Sequence, residues 1–453
     1  MATETLKAKM SIRHILLVVT GIMLTFGCSA LTFSTWMNFQ PAVSEAMGMY
    51  TASGALDTSA FALYITVLYF TMTLVSPIAG KLLQKLDIRI MLTASAALVG
   101  IGFILMSMYT EIWQFYISGV LQGLGEISIL WLAIPTLINR WFAKNGGFFI
   151  GLCMAMTGVG GAIWNSLFTV LTSTGMSYHT IYLIWGVIAL ATSIPFTLLC
   201  IRSTPEEVGL TPYGAELSDG GAAARPRGLS AAAAMKSPVF YAVFFFCGII
   251  NLLSLIAPQF PSYMRSLGAA GSVAYDVVVV GGIMSVAVMV AQAISKVAMG
   301  GFADKNARMA TTAAFIAGTV GILIVWLGAQ SEIALYVGAC TYGFFFASAV
   351  VLCPVVVRQV FGTREYSEIY SRISVFVNLM GASGAAIWAF VGSNFGYGAV
   401  FGVAIACQVL VFLCGMYAFK KKAAIEAQWT EDAPQVPATE PASPAVHAEA
   451  AKA

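Results

Sequence analysis

Three charged side chains lie inside long apolar stretches of this sequence. Glu126 sits about thirteen residues into one stretch, beside Gly123 and Gly125, and Lys296 and Arg372 lie in two others. A charge inside a bilayer costs a few kcal/mol at least, and by default it marks function. A carboxyl at such a depth must be protonated, paired with a cation or facing a water-filled cavity, which suits proton transfer or cation binding. The two basic groups suit the binding of an anion.

Each of these groups also has a structural alternative. Glu126 could form an ion pair between two helices. Lys296 lies four residues before Gly300, about 6 Å deeper along a helix, so its side chain could stretch back to the membrane surface. Arg372 stands at helical spacing from Glu368, and such a pair is typical of a gate or a surface ion pair.

The sequence shows no catalytic or cofactor chemistry. All eight cysteines fall inside apolar stretches without a CxxC pair, and the three histidines lie at the ends of such stretches or near the C-terminus. We interpret the cysteines as small packing residues. No His/Cys/carboxylate cluster and no Gly-rich phosphate loop is visible, so we predict neither an enzyme nor a bound metal or cofactor. A formal net charge of +3 gives no reason to expect nucleic acid as a partner.

The apolar stretches are predicted membrane spans. Of the 453 residues 59% are hydrophobic and only 9% charged, against about a quarter charged in soluble domains. Mean hydropathy is +0.85, and one crossing of the bilayer needs about 20 apolar residues. No cleavable signal peptide is evident, and the first stretch reads as a span. The predicted spans 1 to 12 lie near 15–37, 58–80, 90–109, 113–138, 147–171, 178–200, 239–264, 277–300, 309–328, 333–357, 367–391 and 395–419.

The loop charges predict the orientation of these spans. Lys and Arg precede span 1 and follow spans 2, 4, 8, 10 and 12, whereas the alternate loops carry acidic residues and only one basic residue, Arg265. Basic loops remain in the cytoplasm, so we expect a multi-pass protein of the cytoplasmic (inner) membrane with both termini cytoplasmic. Residues 201–237, rich in Gly, Ala and Pro, are predicted to be a flexible or partly helical linker. Residues 423–453 are predicted to be a disordered tail.

An internal duplication divides the spans into two sets of six, residues 1–200 and 238–422. Residues at the same topological position in the two sets match at an almost constant offset, which is unexpected by chance. Two homologous halves related by an axis along the membrane normal place a substrate site between them, near the middle of the bilayer. The matches, at an offset of 219 or 220, include Pro41 with Pro261, Gly80 with Gly300, and Pro135 with Pro354.

This all-α organisation resembles the major facilitator superfamily. The loop Gly300-Gly-Phe-Ala-Asp304-Lys305-Asn-Ala-Arg308 after span 8 is similar to the GxxxD(R/K)xGxx signature of that family, with Ala307 in place of a glycine. The loop after span 2 is a second copy with Gln84 in the acidic place. The resemblance implies that these loops form a hinge of the cytoplasmic gate, although basic loops could also serve topology alone. The predicted gate residues are Gly80, Lys85, Arg89, Gly300, Asp304, Lys305 and Arg308.

A narrower resemblance concerns the monocarboxylate and oxalate/formate transporter branch. The stretches Asn139-Arg-Trp-Phe142, Gly158-Val-Gly160-Gly161 and Arg202 to Gly214 are similar to that branch. Its span 8 carries an arginine that holds the substrate carboxylate, followed by a glycine and an acid at four-residue spacing. Here the pattern is Lys296, Gly300 and Asp304, with Gln292 where the animal carriers have an aspartate. The resemblance therefore implies that Lys296 binds an anion.

We therefore expect a secondary transporter that carries a mono- or dicarboxylate by alternating access, with protons or in exchange for a counter-anion, as a monomer in the lipid bilayer. Lys296 is the predicted anion ligand and Glu126 the proton-coupling group. An exporter of drugs or other solutes with the same fold is an alternative, although span 5 lacks the Gly-Pro pair typical of drug antiporters. A channel or receptor is an alternative of another class. Further candidates for the substrate site are Gln292, Arg372, Trp36, Asn251 and Tyr342.

Overall fold

The structure, a computed structural model, describes residues 10–50, 59–215 and 227–431. Apart from short turns, two-residue strands and the linker, the described chain is helical. Several sequence predictions fall outside the described residues: the basic residues Lys7 and Lys9 before span 1, the acidic Asp57, part of the linker, and residues 432–453 of the predicted tail.

The first half contributes six helical spans. Spans 1 and 4 each contain a π-helical segment near the middle, where the backbone hydrogen bonds join residues five apart instead of four. The bounds are Ile12–Leu24, Thr25–Ser29 (π) and Ala30–Ala46 for span 1, Ser59–Lys85 for span 2, and Ile88–Met106 for span 3. They are Ile112–Glu126, Ile127–Ala133 (π) and Ile134–Trp141 for span 4, Gly146–Ser173 for span 5, and Tyr178–Cys200 for span 6.

The second half repeats this order. Spans 8 and 9 follow each other without an intervening loop, as do spans 11 and 12, and in each case the helix direction changes at a single break. The bounds are Pro238–Ser254 and Phe260–Ala269 for span 7, Val277–Leu327 for spans 8 and 9, Glu332–Phe346 and Ser348–Phe361 for span 10, and Tyr366–Glu426 for spans 11 and 12. The long helices break at Asn306 (φ −157°) and at Gly396, whose φ of 77° favours glycine.

The helix lengths account for twelve crossings. Ten helices in the described part of the chain are long and apolar enough to span a membrane, and a bent pair over Tyr366–Gly384 and Ala386–Gly392 makes eleven. One of the ten, Val279–Leu327, has 49 residues, so it would extend about 74 Å, more than twice the roughly 30 Å of a bilayer core. Because it breaks at Asn306, it supplies two crossings. The all-α, twelve-span prediction is therefore confirmed.

The linker and the end of the chain pack on the same face of the bundle, which we call the linker face. The strand Arg227–Gly228 (β1) pairs antiparallel with Thr430–Glu431 (β2). Tyr213 donates its amide hydrogen to the carbonyl of Trp141, at the end of span 4. Residues 423–431 correct the tail prediction, since they continue the last helix to Glu426 and then form β2. The apolar pattern of this Ala-rich segment is too short to predict its helix and strand from the sequence.

Across the two halves, span 2 packs on span 11 and span 5 packs on span 8. The large apolar side chains that remain exposed, such as Phe70, Leu199, Ile294 and Leu327, lie on the helical spans, where lipid rather than water is their solvent. The tightest approaches between the halves lie toward the linker-face ends of these helices.

Candidate substrate and coupling site

Glu126 lies midway along span 4 and is fully buried. The Ser29 hydroxyl of span 1 donates a hydrogen bond to Oε2 of Glu126 at 2.6 Å, and Oε1 has no hydrogen-bond partner. The π-helical segment of span 1 ends at Ser29, and that of span 4 begins at Ile127. The regular α-helix is therefore interrupted beside this carboxyl on both spans. Such π-segments occur frequently at functional sites.

The neighbours of Glu126 are polar and aromatic. Thr32 is a second polar neighbour on span 1, and the phenols of Tyr64 and Tyr69 on span 2 lie within electrostatic range of the carboxyl. Within the described residues, no basic side chain lies within ion-pair distance of Glu126. The structural ion pair considered for this residue is therefore not formed here, and the carboxyl resides among hydroxyl groups.

Lys296 is also buried, with 3% of its surface exposed. Its backbone packs on span 5 so closely that a Cβ at Gly151 would lie 2.2 Å from its carbonyl oxygen. Its Nζ donates to Oγ1 of Thr157 at 2.7 Å, six residues or about 9 Å further from the linker face along span 5. The ammonium thus extends toward the middle of the membrane, away from the nearer surface, and bridges the two halves.

The surroundings of Lys296 supply no countercharge. In the parts of the chain that the structure describes, no carboxylate lies within ion-pair distance of its ammonium. Gln292, one helical turn earlier on span 8, is buried and its Nε2 lies 3.0 Å from Sδ of Met289. Lys296 and Gln292 therefore share one face of span 8 at the junction of the halves.

The remaining predicted ligands lie apart from this pair. Asn251 of span 7 donates to the carbonyl of Val377 at 2.7 Å, and the Tyr342 hydroxyl donates to the carbonyl of Leu253, so both groups cross-link helices of the second half. Trp36 is half-buried and packs on the core of the first half. Arg372 pairs with Glu368.

Arg372 also contacts a short helix of the linker, Ala231–Lys236, because its Nη1 lies 2.7 Å from Sδ of Met235. This contact places Arg372 at the linker face. Of the two interpretations that its spacing allowed, the position agrees with a gate or surface ion pair rather than a central ligand.

The predicted gate residues of the second half lie where spans 5 and 8 meet. A Cβ at Gly300 would lie 2.1 Å from the carbonyl oxygen of Gly147. The Asp304 carboxylate accepts hydrogen bonds from the amides of Gly147 and Phe148, both at 2.8 Å. These are the first amides of span 5, and a carboxylate stabilises such a helix N-terminus through its charge as well as its hydrogen bonds. Lys305 and Arg308 are exposed on the same face.

The equivalent contact of the first half joins spans 2 and 11. A Cβ at Gly80 would lie 2.1 Å from the Ser371 hydroxyl and 2.8 Å from the carbonyl oxygen of Ser367. The Ser76 hydroxyl donates to the carbonyl of Ser371 at 2.6 Å. Lys85 is exposed and Arg89 half-buried at the same face. The halves are thus in contact at the linker face through both helix pairs.

A further contact between the halves was not predicted. The Arg358 guanidinium of span 10 donates to Oδ1 of Asn139 at 3.1 Å and to the carbonyl of Ala143 at 3.2 Å. Asn139 and Arg358 are 219 residues apart, the offset of the duplication, so they occupy equivalent positions and meet at the axis that relates the halves. That offset was the signal that could have identified the pair.

Comparison with known proteins places this geometry in a family. The family model described as Major Facilitator Superfamily matches residues 22–291. The chain is similar to the uncharacterized MFS-type transporter YhjX of Escherichia coli, with 23% identity over 75% of this chain and 79% of the relative. It is also similar to the multidrug resistance protein MdtG of Escherichia fergusonii, with 26% identity over 88% of this chain and 92% of the relative. The crystal structure of the human organic anion transporter MFSD10 has a similar fold, with a TM-score of 0.62 and 15% identity over 89% of this chain and 99% of that one.

Proposed function

Because the chain belongs to the major facilitator superfamily and is a multi-pass membrane transporter, we propose that it carries a small organic anion, a mono- or dicarboxylate, by alternating access. The proposal includes an inner-membrane location with both termini, and hence the linker face, in the cytoplasm. The two halves would rock about the groups at their junction, while the contacts at the linker face form and break.

The observation that carries the anion proposal is the position of Lys296. Its buried ammonium reaches toward the middle of the membrane and bridges span 8 to Thr157 of span 5. A charge in such a place is costly unless a partner compensates it, and a substrate carboxylate would supply that partner. Because the ammonium touches both halves, binding an anion there would be sensitive to their relative position.

Glu126 is the proposed proton-coupling group. Its Oε1 has no partner, and Oε2 accepts from Ser29, so the group can take up a proton without breaking an ion pair. A carboxyl that exchanges its proton with opposite sides of the membrane, as the halves move, would couple anion movement to a proton gradient.

A second candidate function is the export of cationic or aromatic solutes. It is favoured by the aromatic setting of Glu126: Tyr64 and Tyr69 lie on span 2, and Trp131, whose Nε1 has no partner, follows Glu126 in the π-helical segment of span 4. A relative named as a multidrug resistance protein, at 26% identity, agrees with this candidate. Under it, Glu126 rather than Lys296 would bind the solute.

Uptake of labelled carboxylates into proteoliposomes tests the proposal. We expect Lys296→Ala to abolish uptake, Lys296→Arg to retain part of it, and Lys420→Ala, an exposed lysine at the end of span 12, to match the unmodified protein. Full carboxylate uptake by Lys296→Ala at equal expression would exclude the anion-ligand role. Carboxylate-independent export of a cationic dye, abolished only by Glu126→Gln, would establish the second candidate instead.

A further inference from the structure

Thr157 of span 5 holds the ammonium of Lys296 from the opposite half of the protein. Nζ of Lys296 donates to Oγ1 of Thr157 at 2.7 Å, and the Thr157 hydroxyl donates its own hydrogen to the carbonyl of Met154 at 2.8 Å. A hydroxyl has one hydrogen to donate, so this group gives its hydrogen to span 5 and an oxygen lone pair to the ammonium. Thr157 is therefore a partner of Lys296 rather than a donor to an anion.

The bond lies within the contact between spans 5 and 8. A Cβ at Gly151 would lie 2.2 Å from the carbonyl oxygen of Lys296, and a Cβ at Gly158, next to Thr157, would lie 3.1 Å from Cβ of Ala293. The two helices thus approach each other closely before and after Thr157 along span 5. They cannot separate at this depth without breaking the bond between Lys296 and Thr157.

A hydroxyl compensates the charge of this ammonium only in part. In the described part of the chain, no carboxylate lies within ion-pair distance of Nζ. A substrate carboxylate would add a full negative charge and would be the stronger partner. Because Lys296 is buried in the contact, an anion can reach the ammonium fully only after the side chain leaves Thr157. Binding of the anion and release of the bond are therefore one event.

We propose that Thr157 is a positioning residue, which occupies the Lys296 ammonium while the central site is empty, and that a substrate carboxylate frees the ammonium from it. This inference rests on the proposed function, because it takes Lys296 as the anion ligand. In the empty protein the bond helps to hold the linker face closed. A ligand that must displace a contact of one conformation binds the other conformation better and shifts the equilibrium toward it. The carboxylate therefore promotes opening at the linker face.

The equivalent contact between spans 2 and 11 provides a matched control. Ser76, 220 residues before Lys296, is fully buried and donates to the carbonyl of Ser371 at 2.6 Å. This bond also joins the two halves, but neither of its partners carries a charge. Opening of the linker face must break it as well, whereas an anion has no charge there to bind.

Hydrogen–deuterium exchange of the Gly147 and Phe148 amides, which donate to Asp304 while the halves are in contact, measures opening in the purified full-length protein without transport. In the absence of substrate, Thr157→Val keeps the shape of the side chain and removes a hydrogen bond to a charged group, so exchange should rise about tenfold. Thr157→Ser keeps the hydroxyl and should match the unmodified protein. Ser76→Ala removes a neutral bond, so exchange should rise about threefold.

Two comparisons decide the inference. In a Lys296→Ala background, Thr157→Val should change exchange no further, whereas Ser76→Ala should keep its full effect. Lactate or succinate, added at constant ionic strength, should raise exchange in the unmodified protein and leave Thr157→Val nearly unchanged.

Additive effects of Thr157→Val and Lys296→Ala would overturn the positioning role, and Thr157→Ala takes the place of Thr157→Val if the valine variant does not fold. Coupled variants without a response to either carboxylate would support the bond between Thr157 and Lys296. They would refute its release by a carboxylate, and with it the proposed substrate class.

Discussion

The two helix pairs that join the halves at the linker face are equivalent in position but differ in chemistry. In both, a glycine lets a helix approach the backbone of the other half: Gly300 against Gly147, and Gly80 against Ser367. Only the pair of spans 5 and 8 adds a charge, the Asp304 carboxylate on two amides of span 5. Gln84 occupies the equivalent place in span 2.

The first turn of span 11, unlike that of span 5, carries acidic side chains of its own. Glu365 stands at the N-cap position of that helix without a capping hydrogen bond, and its carboxylate accepts from the amide of Ala231 in the linker. Glu368 follows one turn later and pairs with Arg372. The positive end of this helix dipole already has two carboxylates, so a third at position 84 would meet repulsion. One contact between the halves thus includes a charge, and the other is a packing contact.

The centre of the membrane repeats the asymmetry. At the offsets of the duplication, Ser76 is the counterpart of Lys296 and Phe345 that of Glu126. Each half therefore contributes one central ionisable group that its counterpart lacks, an ammonium from the second half and a carboxyl from the first. The shared fold supplies the positions, and the departures from symmetry supply the chemistry.

The largest expected effect concerns the carboxyl of the first half. Glu126→Gln keeps the size and an acceptor for Ser29 but cannot release a proton, so it should abolish pH-gradient-driven accumulation. Exchange of substrate present on both sides should continue. Counterflow and gradient-driven uptake, measured side by side in proteoliposomes, check this expectation. Accumulation at the unmodified level in well-folded Glu126→Gln would show that protons do not couple through this residue.

Adding one methyl group to Gly300 or to Gly80 compares the two contacts directly. Gly300→Ala meets the main-chain carbonyl of Gly147, which cannot rotate away, so turnover should fall roughly 5- to 150-fold, as overpacking of about 1–3 kcal/mol implies. Gly80→Ala first meets the Ser371 side chain, so Gly80→Ala with Ser371→Gly should recover part of the loss. The measurement is initial uptake rate beside equilibrium substrate binding, which should change little. Equal losses in both glycine variants, with no recovery in the double variant, would remove the proposed difference.

Removing the charge of Asp304 should lower turnover less than overpacking at Gly300. Asp304→Asn keeps one acceptor oxygen and loses the charge at the N-terminus of span 5, so we expect a fall in turnover of about fivefold. Gln84→Asp should not improve turnover, because Glu365 and Glu368 already occupy the equivalent helix end. Both are measured as turnover at matched expression. A faster transporter with Gln84→Asp would refute the explanation from repulsion.

The smallest expected effect concerns stability and compares two helix caps, at the starts of spans 3 and 9. Asp87 accepts from the amide of Arg89 at the start of span 3, whereas Asn306 accepts from the amide of Met309 at the start of span 9. Replacing either with alanine should lower the free energy of unfolding by about 1 kcal/mol. The measurement is the thermal midpoint of the purified protein in detergent.

Only the Asp87 cap should depend on pH. The Ser203 hydroxyl, at 2.7 Å from Oδ1, is the main reason that the pKa of Asp87 lies below its usual value, and the Arg89 amide adds to it. A lowered pKa stabilises the folded state above the ordinary carboxyl range, and this stabilisation is lost as the pH falls through the folded-state pKa. The deficit of Asp87→Ala should therefore shrink in acid, while that of Asn306→Ala stays constant.

Much of the fold followed from the sequence because the bilayer allows few solutions. Spans of about 20 apolar residues, basic loops on one side and a repeat at offset 220 predict twelve helices in two sets. The boundary error at residue 423 arose because Ala-rich sequence does not distinguish a helix end from a disordered tail. The connection of spans 8 and 9 into one helix with a break at Asn306 was also not predictable from hydropathy, which registers composition and not backbone direction.

The sequence by itself determined which charges are buried, since Glu126 and Lys296 stand in stretches that must be apolar. It also pointed, through their repetition, to the two glycines at which the halves approach each other closely, Gly80 and Gly300. Only the tertiary structure decided the partners of these groups. Lys296 reaches Thr157 instead of the membrane surface, and Glu126 has Ser29 rather than a cation beside it. Arg372 contacts Met235 of the linker. The physical reason is that sequence periodicity fixes the depth of a residue along a helix, whereas its partners depend on the rotation and crossing of helices that are distant in the chain.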